Sequence, residues 1–449
     1  LIGLNEELAA RATAGNPVRI GLIGAGQMGV DIVAQVAMMK GIDIVVVADI
    51  DKARAKAAYT TGLLKGDTVE ARNAADADEA VAGGKRVFTD DFRVVTGMNR
   101  VDVMLDATGV PEVGARAAIL AARHGQQLAM MNVETDITVG PLLRWYAEKK
   151  GVLYALAAGD EPAACKELYD FAEALGFTIV AAGKGKNNPL DRHAKPTDEV
   201  WAKEATRRGL NPNMLIEFVD GSKTMIEMAA VSNATGLKPD VRGMHGPRTT
   251  RDKLHETFAL KEHGGILNHT GVVEYGIGGI HPGVFLVVTT SHPRLRQALV
   301  YRDMGNGPYY TLFRPYHLCS IEVPLTCAML AIRKKSNMFP MDHLVSEVFA
   351  VAKQDLLTGD RLDGIGGCSF YSLIDTYEAA VAENLLPVGL AKGAILKKAV
   401  KQNCPIRYDD VQLREPSTVL TLRRLQDVWM AGRMDDKRLL NSIESIECG

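Results

Sequence analysis

The stretch VRIGLIGAGQMGVDIVAQVAMMK, residues 18–40, decides the fold. Its first part, VRIGLI, is a short apolar run rich in β-branched side chains. Its last part repeats Val30, Val33, Ala34, Ala37 and Met38 at helical spacing. Between them lies Gly24-Ala25-Gly26-Gln27-Met28-Gly29. Strand, glycine turn and helix in that order form the G-x-G-x-x-G arrangement. Its glycines turn the chain, admit a pyrophosphate to the backbone and let the helix pack on the strand. The unpaired N–H groups of the helix start then face the phosphates. A second strand, IDIVVVAD, ends in Asp49, twenty residues past Gly29, where a ribose-reading carboxylate belongs. Asp49 favours a free 2′-hydroxyl and so NAD. Lys52 and Arg54, just beyond it, leave NADP open.

Further apolar runs, KRVFTD, VDVMLDATG and QQLAMMN, alternate with helical segments such as PEVGARAAILAARHG. That alternation predicts an α/β fold with a doubly wound parallel sheet, and residues 60–85 are expected to be a helical, Ala-rich insertion. Ligands of such sheets lie beyond the carboxyl ends of the strands, which nominates Thr108, Gly109, Asn132 and Glu134 as cofactor neighbours. Helix capping is an equal alternative for Asn132 and Glu134.

The chain has 449 residues, more than one hydrophobic core usually serves, so two or three domains are expected. Lys and Arg (52) nearly balance Asp and Glu (54), which leaves no global field to gather nucleic acid or an anionic membrane. A small molecule is the expected partner. The six cysteines form no C-x-x-C pair and no regular spacing, and no window reaches the length of a membrane span. A reducing, cytoplasmic setting with idle thiols follows from that pattern.

The middle of the chain carries the polar clusters. Asp160-Glu161-Pro162 follows the apolar run GVLYALAAG and opens an amphipathic helix. Capping accounts for these carboxylates, and a catalytic or metal-binding role is the alternative. FTIVAAG reads as a strand, with KGKNNPL as the loop leaving it. That reading puts Lys184, Lys186, Asn187 and Asn188 outside the core, on a backbone made bare by Gly183 and Gly185. Cations with neutral donors suit a phosphorylated or carboxylated substrate. In DGSKTMIEMAA, Asp220 or Ser222 can cap a helix whose first turn holds Lys223, with Glu227 four residues on. In RGMHGPRTT, His245 and Arg248 flank a Gly-Pro turn and suit an acid or an anion ligand. From about residue 346 short apolar pieces broken by turns predict a compact β-rich unit. The last helix, PSTVLTLRRLQDVWMAG, is expected to dock against the body or a second subunit, and a homo-oligomer is the expectation.

With these pieces in place, the chain resembles the deoxyxylulose-phosphate reductoisomerase-like oxidoreductases nearly end to end. The resemblance rests on VRIGLIGAGQMG, DATGVPEVGA, MMNVETDITVGP, AGDEPAAC, AGKGKNNPL, EFVDGSKTMIEMAA, NATGL, GMHGPR and FRPYHL. It implies a Rossmann NAD(P)-binding domain over residues 1–158, an α+β substrate domain over 159–340 and a β-clip (SAF-like) domain with a terminal helix over 341–449. It also implies NADPH-dependent conversion of 1-deoxy-D-xylulose 5-phosphate to 2-C-methyl-D-erythritol 4-phosphate, a step towards isoprenoid precursors, assisted by a divalent metal such as Mg or Mn. On that chemistry Asp160, Glu161 and Glu227 are the carboxylates and Lys184 and Lys186 the polarising pair. Asn188, Ser222, Lys223, His245 and Arg248 form the anion site. Asp49 keeps a second reading open, an NAD-dependent dehydrogenase or oxidoisomerase of a four- or five-carbon sugar acid or polyol derivative. A nucleotide-sensing regulator is the third.

Overall fold

A computed structural model describes residues 2–448. The chain forms two compact units, each built from separated stretches: Leu1–Ala163, Leu318–Asp342 and Ser417–Gly449 in the first, Ala164–His317 and His343–Pro416 in the second. Chain order and compactness therefore divide the molecule along different lines.

The first unit is built on a seven-stranded sheet: β1 (Val18–Ile23), β2 (Ile42–Ala48), β3 (Thr68–Glu70), β4 (Arg86–Thr89), β5 (Val103–Asp106), β6 (Gln127–Met130) and β7 (Tyr154–Leu156), in the order β3-β4-β2-β1-β5-β6-β7. Every pairing is parallel. This is a Rossmann α/β sheet with its switch of direction at β1, between β2 and β5. Ile20, Leu22, Ile44, Val47, Val103 and Leu105 are shielded from water, as strands covered on both faces require. The stretch 60–85 departs from the expected helical insertion. Thr68–Glu70 adds an edge strand to β4, and beyond Thr61, where the helix Lys52–Thr61 ends, only Ala74–Ala82 is helical, started by the Asn73 side chain accepting from Asp76 N–H. The β-branched Thr68 and Val69 suit the edge, and alanine content alone concealed them.

The helix Thr418–Met430 belongs to the first unit and is not the last of the chain, since a further helix, Asp436–Glu444, follows it. Trp429 meets Trp145 with ring centres 5.7 Å apart. The helix Val133–Lys149 contains Pro141, which cannot donate to the helical ladder. There the buried Gln426 side chain bridges the helix: Leu142 N–H donates to its Oε1 (3.1 Å), and its Nε2 donates to the Thr138 carbonyl (3.1 Å).

The second unit contains a mixed sheet of β8 (Thr178–Lys186), β9 (Lys238–Pro239), β10 (Val272–Ile277), β11 (Val284–Thr289) and β12 (Tyr309–Arg314), ordered β12-β11-β8-β10-β9. β10 runs parallel to β8 and β9, while β11 is antiparallel to both β8 and β12. The same unit holds the antiparallel pair β13 (Ser346–Ala352) and β14 (Phe370–Thr376) and the short pair β15 (Ile395–Leu396) and β16 (Val411–Gln412). The helix Ser222–Thr235 packs against β10 and against the β13–β14 pair. All six cysteines are free, and no helix among the described residues is long and apolar enough to cross a membrane.

Candidate functional site

The first unit presents a dinucleotide cradle. Gly24 has φ +102°, a conformation that favours glycine, and a Cβ there would lie 2.9 Å from the Ala107 carbonyl group. Gly29 sits under Gly24, where a Cβ would fall 2.1 Å from the Gly24 carbonyl oxygen. Gly26 differs from both. It is exposed, with ordinary φ, and an added Cβ would meet no atom within 4 Å among the described residues. It caps the helix Gln27–Ala37 without a side-chain hydrogen bond, so no capping side chain satisfies the first N–H groups of that helix, which opens on exposed Gln27 and half-buried Met28. A bare helix start next to an empty glycine position fits a pyrophosphate.

Asp49 follows β2 directly and is engaged on both oxygens. Oδ2 accepts from Ala25 N–H (2.8 Å), and Oδ1 accepts from Asp51 N–H (2.9 Å) and from Arg54 Nη2 (2.9 Å). Lys52 pairs instead with Glu70 (2.9 Å) and Asp90 (3.2 Å). Beyond β5 and β6 a buried network fixes the strand ends. Asp106 accepts from Thr108 N–H (2.9 Å), from the Thr108 hydroxyl (2.7 Å) and from Asn132 Nδ2 (2.9 Å). Burial raises the Asp106 carboxyl against the pull of these bonds. Asn132 also caps the next helix through Thr135 N–H (3.0 Å), so the capping alternative for this residue is realised. Glu134 is buried in the first turn of that helix, and Gly109 is exposed. Asp160 and Glu161 open the helix Glu161–Ala174, Glu161 buried and Asp160 half-buried.

In the second unit the lysine stretch departs from its sequence reading. Lys184 and Lys186 are the last residues of β8 and not part of a loop, and each is 4% exposed. The alternation Gly183-Lys184-Gly185-Lys186 is that of a strand whose one face admits no side chain. A Cβ at Gly183 would lie 2.3 Å from the Glu274 carbonyl oxygen, and one at Gly185 2.4 Å from His281 N. The glycines therefore serve packing.

Both lysines are buried because both are partnered. Lys184 forms an ion pair with Glu227 of the helix Ser222–Thr235. Glu227 thus reaches across to the strand. Lys186 Nζ donates to the carbonyls of Asn188 (3.1 Å), Pro189 (3.4 Å) and Phe218. Burial, with the charge of Lys184 second, lowers the Lys186 ammonium to about 8.

Ser222 is fully buried, and its hydroxyl accepts from Ser372 N–H (2.9 Å). The helix cap itself is Gly221 (φ +86°), while Asp220 accepts from Ser222 N–H (2.8 Å) and pairs with Lys353 (2.8 Å), both side chains out of contact with water. Lys223 is half-buried in the first turn. Asn187 is exposed, and Asn188 is buried with its Oδ1 accepting from Arg208 (3.3 Å).

The Gly-Pro turn stands at the edge of β10: Arg248 bridges to Ile277, itself the register partner of Lys186. Lys186, Ile277 and Arg248 thus lie in one row across neighbouring strands. Gly246 (φ +56°) abuts the Tyr275 ring, and Tyr275 is the register partner of Lys184. His245 Nδ1 meets Glu274 Oε1 at 2.6 Å. Glu274, fully buried, also accepts from the N–H groups of His245 (3.1 Å), Gly246 (3.4 Å) and Tyr275 (3.3 Å). The hydrogen bond to Glu274 raises the His245 imidazole above its ordinary value, burial and Lys261 opposing and Asp240 adding to the rise. Glu274 escaped the sequence reading because a single carboxylate in an apolar strand looks like an interruption of that strand.

Residues 159–323 match the family model described as the catalytic domain of oxidoreductase DRL. No curated protein matches the chain. Among solved structures, it is similar to myo-inositol 2-dehydrogenase from Lactobacillus plantarum, at 14% identity over 72% of this chain and 91% of that one, with a TM-score of 0.39. It is similar to scyllo-inositol dehydrogenase from Lactobacillus casei with bound NAD(H) and scyllo-inositol, at 11% identity over 62% and 74%, with a TM-score of 0.33. It is also similar to 1-deoxy-D-xylulose 5-phosphate reductoisomerase from Zymomonas mobilis in complex with NADPH, at 13% identity over 48% and 58%, with a TM-score of 0.32. A Rossmann unit whose glycine turn fits a pyrophosphate, followed by a stretch that matches an oxidoreductase catalytic domain, makes the chain an NAD(P)-dependent oxidoreductase.

Proposed function

We propose that this oxidoreductase is a reductoisomerase of a phosphorylated ketose, of the type that converts 1-deoxy-D-xylulose 5-phosphate to 2-C-methyl-D-erythritol 4-phosphate. The observation that carries the reading is the pair of buried lysines closing β8, inside the stretch that matches an oxidoreductase catalytic domain. Burying two ammonium groups side by side costs several kcal/mol unless they are partnered, and a fold spends that cost where a charge is wanted in a dry place. Lys184, held by Glu227, would hydrogen-bond the substrate oxygen on which negative charge grows. Lys186, titrating near 8, would give or take the hydroxyl proton. The dinucleotide, when bound, supplies the hydride, and one proton completes the reduction of the rearranged aldehyde to the alcohol.

Asp160 and Glu161 offer the hard carboxylate oxygens that Mg or Mn prefers, and they would hold such an ion. For the cofactor we propose NADP. Three N–H donors already occupy the Asp49 carboxylate, which leaves it little capacity for a ribose diol, and Arg54 stands beside it as a cation for a 2′-phosphate. The same reading takes in a phosphorylated small-molecule substrate, a cytoplasmic setting and a homo-oligomer.

The second reading, an NAD-dependent dehydrogenase or oxidoisomerase of a four- or five-carbon sugar acid or polyol derivative, is favoured by Asp49 standing at the end of β2. The test follows NADPH and NADH absorbance with 1-deoxy-D-xylulose 5-phosphate and with a panel of such acids, then reads carbon connectivity of the product from a 13C-labelled substrate. A product with unchanged connectivity overturns the first reading, and oxidation of a sugar acid with NAD establishes the second.

A further inference from the structure

We propose that Arg192, stacked on Tyr371 in the second unit, is the receptor for an oxyanion of the substrate, a carboxylate or phosphate terminus. This inference rests on the second unit carrying the substrate groups, and it adds a cation that the sequence motifs did not single out.

Arg192 is half-buried and has no carboxylate partner among the described residues. Its guanidinium lies over the Tyr371 ring, 5.8 Å from the centroid. The phenols of Tyr275 and Tyr371, 1% and 3% exposed, are near enough for its charge to oppose the rise that burial gives them. A guanidinium has five N–H donors in a planar fork, and stacking on a ring face engages none of them. Arginines withdrawn from water are normally paired, and an unpaired one with its donors free is a built half of an ion pair.

The surroundings set Arg192 among the polar positions of the second unit. Gly243 (φ +77°) passes so close that a Cβ there would stand 3.6 Å from Arg192 Nη2. Gly243 precedes His245 by two residues, and Tyr275 is the register partner of Lys184. Arg192 therefore adjoins both the glycine turn that carries His245 and the strand position level with Lys184. The motif cations are otherwise engaged or placed differently: Lys184 pairs with Glu227, Lys186 donates to three carbonyls, and Arg248 is exposed at the sheet edge. A stacked, pre-oriented fork is suited to two parallel hydrogen bonds to one carboxylate or phosphate.

Isothermal titration of the full chain without cofactor, using inorganic phosphate in one arm and malonate in the other, reads the site without turnover. The wild type is expected to bind at least one anion saturably, and the arm that binds tells phosphate from carboxylate. Arg192→Gln is expected to lose at least tenfold in affinity, Arg192→Lys to lose most of it because a point charge cannot fork, and the exposed Arg294→Gln to bind as the wild type does. A wild type that binds neither anion, or an Arg192→Gln variant that binds as tightly as the wild type, overturns the proposal. Should Arg192→Gln fail to fold, Arg192→Lys keeps the charge over Tyr371, and wild-type affinity in that variant refutes the forked receptor. Anion binding without activity on any ketose phosphate or sugar acid would leave this inference standing and remove the proposed function.

Discussion

Lys184 and Glu227 form an ion pair in which the side chains are 5% and 1% exposed, linking the end of a strand to the middle of a helix. Removing one partner leaves the other charge buried alone, a loss of roughly 3–5 kcal/mol, whereas replacing both by apolar groups of similar volume is nearly neutral. Glu227→Ala is therefore expected to lower the urea midpoint sharply, and Lys184→Met with Glu227→Leu to restore most of it. If the pair serves chemistry, the double variant stays inactive. A double variant with both stability and turnover restored would make the pair architectural.

Lys186 gives the stability curve an alkaline signature. Its folded-state value, about 8, lies below the ordinary lysine value, so the unfolded chain binds the extra proton between those two values. Stability from this group is lowest below pH 8 and rises as pH climbs from 8 towards 10.5, by about 3 kcal/mol at most. Chemical denaturation at pH 7.5 and pH 10 is expected to show that gain in the wild type and not in Lys186→Met.

These lysines also mark where the sequence stops being legible. The glycine turn, the parallel strands and the Asp49 position follow from short-range spacing, and each is found where that spacing puts it. Lys184 and Lys186 read as a loop because charge and glycine together look like solvent. What buries them is remote: Glu227, the Phe218 carbonyl, and the neighbours of Gly183 and Gly185 that leave no room for a Cβ. The Ser222 hydroxyl, nominated for an anion, meets the N–H of Ser372, a partner 150 residues away that no local pattern announces.

Glu274 sets the charge of His245. The neutralised variant Glu274→Gln keeps the shape and removes the main cause of the raised imidazole, so the His245 titration followed by NMR is expected to move down towards or below its ordinary value. The sign of the stability effect follows. A raised histidine contributes stability that is complete below the unfolded value near 6.5 and is lost as pH rises through the folded one. The wild-type advantage over Glu274→Gln should therefore shrink as pH rises above the ordinary histidine value. An unchanged His245 titration in the variant would contradict the pairing.

Gln426 repairs the helix around Pro141, and its loss should be felt as stability. Gln426→Leu leaves Leu142 N–H without its acceptor, while the Thr138 carbonyl keeps Arg423 Nη1 at 3.4 Å. One orphaned buried donor costs about 1–3 kcal/mol. The variant is expected to unfold at lower temperature with NADPH affinity per folded molecule unchanged, by calorimetry and fluorescence titration.

Gly26 separates folding from cofactor binding. Its φ of −71° suits any residue, and a Cβ would meet nothing within 4 Å among the described residues, so Gly26→Ala should fold as the wild type does. A pyrophosphate needs that space, and the variant is expected to lose tenfold or more in NADPH affinity, an effect of at least about 1.4 kcal/mol. Gly29→Ala would instead drive its methyl to 2.1 Å from the Gly24 carbonyl oxygen and should fail in folding as well. Arg54→Ala completes the series. Losing the cation beside Asp49 should weaken NADPH about tenfold and leave NADH nearly unchanged, in keeping with one charge-assisted contact. If Gly26→Ala binds both dinucleotides as the wild type does, the pyrophosphate does not lie on this turn.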